Sequence, residues 1–169
     1  MNTINCSCGK PDSCGCCCKS CKFNPCAVTC APCQNTFGGV YAYIYNTAAQ
    51  TVAADAAVTF SSNGPLSGTV THTAGTAEIV VGETGVYLVD FSVSGEGAAQ
   101  ITAYRNGAAV EGTTYSAADG EVNGRFIIAA QIGDVLTFVN TGEAGIVIAA
   151  QGTTPEAVVN ASVTIVKIF

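Results

Sequence analysis

The ten cysteines of this chain are the residues with the most distinctive chemistry, and they are confined to its first part. Residues 34–169 contain none. A short segment without a substantial apolar run cannot build a core, so disulfide bonds, metal ions or neighbouring molecules must order it. The complete set is Cys6, Cys8, Cys14, Cys16, Cys17, Cys18, Cys21, Cys26, Cys30 and Cys33.

The spacing of these cysteines favours disulfide cross-links. Cys16, Cys17 and Cys18 are consecutive, and a disulfide needs Cα atoms ~4.4–6.8 Å apart in a suitable orientation, which adjacent residues do not provide. Their partners therefore lie elsewhere in the segment or on another chain. So many thiols allow too many pairings for the connectivity to be deduced. We predict that all the cysteines serve in disulfide cross-linking.

A metal–thiolate cluster is the main alternative for this segment. The C-x-x-C spacings that begin at Cys14, Cys18 and Cys30 suit zinc or copper. The segment contains no histidine and its spacings do not divide into two four-ligand sets, so we assign no metal site. A disordered, reactive tail is a further alternative. A redox enzyme is disfavoured, because a redox C-x-x-C motif works at a helix N-terminus in a βαβ unit.

The rest of the chain offers little catalytic chemistry. His72 is the only histidine and lies in an alternating stretch typical of a strand face. No nucleophile motif and no phosphate-binding glycine loop is present, so we predict no catalytic or cofactor-binding residue, no cofactor and no enzyme activity. The acidic side chains in loops and at strand ends are expected to be solvated; they are Asp55, Glu83, Glu96, Glu111, Asp119, Asp134 and Glu143.

Charge is distributed unevenly along the chain. Three lysines against one aspartate give residues 1–38 a net charge of +2, and three basic residues against eleven acids give residues 39–169 a net charge of −8. An acidic domain of this kind disfavours nucleic acid as a partner. Charged residues are 11% of the chain, against roughly 25% in ordinary domains, so we expect other subunits to cover much of the surface.

The sequence predicts neither a membrane span nor a secretory signal peptide. Its most apolar stretches, such as 86–93 and 126–131, are much shorter than the ~20 residues that a membrane-spanning helix needs. The opening residues lack the basic region and the apolar region of a secretory signal. A disulfide-bonded product without such a signal would reach oxidising conditions by another route, such as lysis of the producing cell.

Residues 39–169 are predicted to be all-β. Tyr41, Tyr43 and Tyr45 alternate with aliphatic residues, which indicates a first strand at 39–45. No convincing helix is present, and about ten strands separated by turns favour a two-sheet sandwich of the jelly-roll type. The further strands are predicted at 57–61, 68–73, 77–81, 86–94, 99–105, 124–130, 135–140, 146–151 and 158–168.

Asparagine–glycine pairs predict the tight turns. The pair at 106–107 lies between two strand-like runs and is the strongest hairpin signal, because both residues tolerate the positive φ of a type I′ turn. The pairs at 63–64 and 123–124 are predicted to turn the chain in the same way.

Several sequence blocks resemble a known family. The block at 73–94, TAGTAEIVVGETGVYLVDFSVS, is similar to the C-terminal domain of BclA-type collagen-like glycoproteins of bacterial spores. The blocks at 105–115, 133–141 and 160–167 follow in the family's order, and the resemblance covers roughly residues 40–169. It implies a ten-stranded C1q/TNF-like jelly roll that forms a homotrimer on the outside of a spore. The family's collagen-like Gly-X-Y tract is absent here, and the cysteine-rich segment takes its place.

These observations define two domains and one expected role. Residues 1–38 form a loop-like cross-linking segment, and residues 39–169 form the jelly roll. We expect a structural subunit of a spore-surface assembly, namely an appendage fibre, the exosporium or a coat layer. Its partners are further copies of itself and other spore-surface proteins. The tyrosines at 41–45 and the final strand are expected to face the trimer axis, and head-to-body contact is expected to favour a fibre. The alternatives are a surface-binding tip module anchored by its cysteines and a metal–thiolate protein.

Overall fold

The computed structural model describes residues 39–150 and 156–169, and their regular structure is entirely β. Ten strands form two five-stranded sheets in the orders β3-β1-β12-β6-β9 and β4-β5-β10-β7-β8, and β11 and β2 form a small third sheet. The predicted two-sheet sandwich is therefore confirmed. The strands are β1 (Tyr41–Asn46), β2 (Gln50–Val52), β3 (Ser62–Ser67), β4 (Thr71–His72), β5 (Ile79–Val80), β6 (Gly85–Gly95), β7 (Ala99–Arg105), β8 (Ala108–Ala117), β9 (Gly120–Ala130), β10 (Val135–Asn140), β11 (Ile146–Ile148) and β12 (Ala161–Lys167).

The core lies between the two large sheets. Alternation decides which side chains enter it, since successive residues of a strand point to opposite faces. Aromatic rings from both sheets meet at its centre: the ring of Phe91 lies 5.0 Å from that of Phe138 and 5.6 Å from that of Tyr115. The ring of Phe138 also packs edge-on against that of Phe60 at 6.3 Å. All four side chains are removed from water wholly or in part.

One of the three predicted asparagine–glycine turns is present. Asn106 and Gly107 have φ values of 53° and 79° and connect β7 to β8, which confirms that hairpin. The other two predictions are wrong, because the pairs at 63–64 and 123–124 lie inside β3 and β9. In both cases an aromatic ring occupies the space beside the glycine. A Cβ at Gly124 would lie 2.2 Å from the Phe91 ring, and one at Gly64 would lie 2.5 Å from the Tyr43 ring.

The strand predicted at 57–61 is also absent. The structure shows only isolated bridges there, from Ala57 to Val139 and from Phe60 to Thr76. A side chain takes the place of a neighbouring strand, because the Gln50 amide accepts a hydrogen bond from the Thr59 backbone N–H at 3.0 Å and donates one to the Thr59 carbonyl at 2.8 Å. The backbone of this segment is thus satisfied without a continuous ladder.

The sandwich has two distinct ends, which we call the base end and the distal end. The base end carries the start of β1 and the end of β12, since Tyr41 pairs with Val166. The distal end carries the opposite termini of the same strands and the β6–β7 and β8–β9 connections, where Gly95 pairs with Gly120. The described chain, which starts at residue 39, therefore begins at the base end.

Buried asparagines hold the loops of the distal end. The Asn46 amide donates to Oδ1 of Asn160 at 2.8 Å, and the Asn160 amide donates to the carbonyl of Ala149 at 2.9 Å. The Asn140 amide donates to the carbonyls of Val52 at 3.1 Å and of Ala144 at 2.9 Å. These side chains replace backbone partners where the strands end, so the distal loops are fixed to the sandwich.

An ion pair closes the base end. The Lys167 ammonium donates to Oε2 of Glu83 at 2.9 Å, and the hydroxyl of Thr69 donates to Oε1 at 3.2 Å. The hydrogen bond from Lys167, together with its charge, lowers the pKa of the Glu83 carboxyl from its ordinary value of 4.5. The same hydrogen bond raises the pKa of Lys167 from its ordinary value of 10.5.

This ion pair predicts a specific pH dependence of stability. Because folding lowers the pKa of Glu83, its contribution is complete above the unfolded-state value near 4.5 and is lost as the pH falls through the lower folded-state value. We expect Glu83→Gln to be less stable than the wild type at neutral pH and to approach it in acid. Denaturant midpoints at pH 7 and pH 3 measure this difference. Lys167→Met should behave in the same way, and a difference that is equal at both pH values would contradict the prediction.

Candidate functional site

The outward side of the β3-β1-β12-β6-β9 sheet is the surface with the clearest functional character, and we call it the open face. Its side chains alternate with those of the core along each strand. Strand register arranges them in three rows that run across the sheet. The rows are Tyr41, Val166, Leu88 and Ile127; Tyr43, Thr164, Asp90 and Arg125; and Tyr45, Ser162, Ser92 and Asn123.

The first row is entirely apolar and lies toward the base end. Tyr41 pairs with Val166, Val166 pairs with Leu88, and Leu88 pairs with Ile127. Tyr41 is 41% exposed and Ile127 is 63% exposed, so both ends of this apolar row stand in water. A continuous apolar row on an open sheet face is typical of a surface that another protein covers.

The second row contains an ion pair. Arg125 contacts Asp90 through two guanidinium nitrogens, and the Nε to Oδ2 distance is 2.6 Å. Both side chains are substantially exposed. A two-point contact of this kind fixes the orientation of the guanidinium, so a partner packing on the open face would meet a neutralised pair instead of a free charge.

Stacked tyrosines complete the open face on β1. The rings of Tyr43 and Tyr45 lie 5.4 Å apart with an interplanar angle of 20°. Large aromatic side chains of this type contribute contact area at low cost in conformational entropy. All three tyrosines of β1 lie on the outward side of the sheet, and their predicted contact with a trimer axis stays a prediction.

The outward side of the second sheet has a different character. The hydroxyl of Thr102 lies 2.9 Å from that of Thr114 and 2.8 Å from that of Thr141. Gln100 adds a hydrogen bond from its amide to the Thr141 carbonyl at 3.1 Å. These polar groups satisfy one another, and Thr102 is itself buried beneath its neighbours. The two outward faces thus differ, and the open face is the one suited to being buried by a partner.

The ten cysteines predicted as cross-linking residues, from Cys6 to Cys33, lie outside the described residues. Disulfide bonding of this segment therefore stays a prediction.

His72 serves the fold, as the alternating sequence predicts. It lies in β4 and is buried, with Nδ1 2.6 Å from Oδ1 of Asn63 and Nε2 3.1 Å from the carbonyl of Thr76. The Phe60 ring packs edge-on against the imidazole at 6.1 Å. Because both ring nitrogens contact protein oxygens, neither faces a substrate site.

Within residues 39–150 and 156–169, no three histidine, cysteine or acidic side chains are grouped so that they could hold a metal ion. Within the same ranges, no helix has the length and apolar character needed to cross a membrane.

Sequence alone did not identify the apolar row. Leu88 and Ile127 lie in runs that are apolar at nearly every position, so alternation does not reveal which residues face outward. The polar residues Asp90 and Ser92 give a partial signal, because they place the outward positions of β6 at even numbers. Only the structure shows that β1, β12, β6 and β9 pair in a register that brings these side chains into one row.

Comparison with solved structures places the fold in the C1q/TNF jelly-roll class. A TNF named Eiger, from S. frugiperda, superposes with a TM-score of 0.59 at 18% identity, over 78% of this chain and 93% of that one. The globular domain of zebrafish complement 1qA protein gives 0.58 at 13% identity, over 77% and 98%. Murine APRIL gives 0.53 at 12% identity, over 77% and 99%.

These similarities confirm the predicted fold class, and at such identities they establish the fold alone. No protein-family model and no curated protein sequence matches the chain. The chain is thus an all-β protein of the C1q/TNF jelly-roll fold whose open face is apolar along one row. A particular role has to be argued from its own residues.

Proposed function

We propose that this protein is a structural subunit of a bacterial spore-surface assembly, such as an appendage fibre, the exosporium or a coat layer. In this proposal the jelly roll associates in threes through the open face, and the cysteines cross-link the trimers. The apolar row of Tyr41, Val166, Leu88 and Ile127 is the observation that carries it, because this row gains most from being covered.

The chemistry of the open face supports self-association. Its apolar row lies beside tyrosines and a neutralised ion pair, and further polar side chains such as Ser92 and Thr164 are uncharged. The Glu121 carboxylate, which accepts a hydrogen bond from the Ser92 hydroxyl, lies at the distal edge of the face. An interface core of this composition is depleted in free charge and enriched in aromatic residues. The low overall content of charged residues points the same way.

The spore surface as location rests on the resemblance of the blocks at 73–94, 105–115, 133–141 and 160–167 to BclA-type spore glycoproteins. A cysteine-rich segment fits a durable layer, since disulfide bonds add about 2–4 kcal/mol each against unfolding. No catalytic role is part of this proposal.

Removal of the consecutive cysteines tests the proposed division of labour. We expect the change of Cys16, Cys17 and Cys18 to serine to abolish long covalent assemblies and to leave folded trimers, because the jelly roll contains no cysteine. Non-reducing gels beside reduced ones, together with electron microscopy of the oxidised protein, measure this. The matched control changes Ser7, Ser13 and Ser20 to alanine within the same segment. Assemblies that persist in the cysteine variant would refute the proposal.

A surface-binding module is the second candidate function. It is favoured by the position of the distal loops, which buried asparagines fix at the end opposite the first described residues of the chain. A tagged full-length trimer applied to a glycan or protein array distinguishes the two functions, since a pure building block should bind only itself. Stoichiometric zinc or copper in the reduced protein would instead support a metal–thiolate function.

A further inference from the structure

The base end of the sandwich carries a second exposed apolar surface, separate from the centre of the open face. Ile132 in the β9–β10 loop is 71% exposed, and Phe169, which follows β12, is 88% exposed. Large apolar side chains in such positions are costly to leave in water unless something covers them. We call this surface the base patch; its members are Leu66, Ile132, Ile168 and Phe169.

The two most exposed members flank the same short stretch of backbone. The Ile132 N–H donates to the hydroxyl of Thr84 at 3.2 Å, and the Phe169 carbonyl accepts from the Val86 N–H at 2.8 Å. The Ile168 N–H donates to the Val86 carbonyl at 2.8 Å. The backbone partners of residues 132, 168 and 169 are thus Thr84 and Val86, at and just before the start of β6, although residue 132 is far from the other two in sequence.

The distal end has the opposite character. Its loops and strand ends carry acidic side chains, and all three basic residues of the sandwich lie elsewhere. Lys167 and Arg105 are at the base end, paired with Glu83 and Asp134, and Arg125 is on the open face. Two distal ends would therefore repel one another. The acidic residues of the distal end are Asp55, Glu96, Asp119, Glu121 and Glu143.

The distribution of cysteine adds a constraint on any covalent assembly. Residues 34–169 contain no cysteine, so each disulfide between copies joins one N-terminal segment to another. The described chain begins at the base end, where the Val40 carbonyl accepts from the Lys167 N–H at 2.8 Å. Disulfide bonds between copies therefore join like segments and cannot attach a cysteine segment covalently to the jelly roll of the next copy.

We infer that the base patch is a second self-association surface and that its occupant is the base patch of another trimer of this chain. The inference rests on the proposed trimer and deepens it. Base-to-base contact buries the exposed apolar residues, brings the points where the described chains begin close together and leaves the acidic distal ends pointing outward. The confinement of all cysteines to one end of the sequence favours a fibre built by head-to-body contact. Base-to-base contact differs from that arrangement, because a disulfide between copies can join only one cysteine segment to another.

The test uses the full-length protein under reducing conditions, so that disulfides do not contribute. Light scattering across a concentration series should show trimers in equilibrium with particles of twice their mass, and 0.5 M salt should not weaken this association. The double variant Ile132→Ser and Phe169→Ser should weaken it at least tenfold, and the corresponding aspartate variant should weaken it further. Val158→Ser, at an exposed distal position, is the matched control and should have no effect.

A wild type that stays trimeric at all concentrations would overturn the inference, as would a base-patch variant that associates like the control. Association that salt disrupts would also overturn it, because it would indicate charged contacts with the acidic end. Single chains at all concentrations would instead refute the proposed trimer, so the two failures are distinguishable.

For the oxidised protein, a gold label at residue 1 should lie at the centre of each particle in electron micrographs, with the jelly rolls outside it.

Discussion

Replacement of Ile127 by aspartate is expected to convert the trimer into single folded chains. Ile127 ends the apolar row and is 63% exposed in the isolated sandwich, so the new carboxylate does not disturb the core. A trimer would bury three such carboxylates, one from each chain, and none would have a positively charged partner. A penalty of about 2 kcal/mol at each site weakens association by on the order of 10⁴-fold, because about 1.4 kcal/mol is a factor of ten. Size-exclusion chromatography with light scattering measures the mass.

The matched control for this experiment is Val147→Asp. Val147 is also a strand residue and is 44% exposed, but it lies at the distal end, away from the open face. We expect this variant to stay trimeric, and circular dichroism should show an intact β spectrum for both variants. If the Ile127→Asp variant stays trimeric, the open face is not the surface through which the chains associate. If the wild type is itself a single chain in solution, the proposed trimer is refuted.

The second large effect is expected from Gly124→Ala. A Cβ at this position would lie 2.2 Å from Cε1 of Phe91 and 2.6 Å from the ring of Tyr115. Phe91 cannot move aside easily, because its ring also packs against Phe138. Overpacking of this kind in a filled core destabilises by roughly 1–3 kcal/mol. We expect a loss near the upper end of that range, measured as the free energy of unfolding in denaturant.

Gly95→Ala provides the control for this substitution. Gly95 also lies in the β6–β9 sheet, yet the nearest atoms to its added Cβ are 3.6 and 3.7 Å away, which is ordinary contact. Its backbone does not have a positive φ. We therefore expect a change within about 0.5 kcal/mol of zero, or a slight gain from reduced freedom of the unfolded chain. Equal losses in both variants would show that the Phe91 ring is not the cause.

Much of the fold follows from local signals in the sequence. Alternation identifies β1 and β6 within one or two residues, and the asparagine–glycine pair at 106–107 identifies the β7–β8 hairpin. The same dipeptide fails at 63–64 and 123–124, where rings from neighbouring strands occupy the space beside the glycine. An asparagine–glycine pair permits a turn, but packing against Tyr43 or Phe91 decides whether the chain remains extended.

The candidate surfaces follow from the sequence to a smaller degree. Tyrosines 41, 43 and 45 are recognisable as one face of a strand, and the role of His72 as a strand residue is predictable from its neighbours. Ile127 and Ile132 give no such signal, because an isoleucine in an apolar run is usually a core residue. Both are exposed here because β9 lies at the edge of its sheet and a loop follows it.

The sequence by itself determined that the chain is all-β and that its sulfur lies apart from its jelly roll, because alternation and composition are local properties. Tertiary structure decided which apolar residues remain in water. The apolar row joins residues 41, 88, 127 and 166, and the base patch joins residues 132 and 169, through strand register and loop position. Register depends on pairings between distant segments, so no local pattern specifies which side chains share a surface.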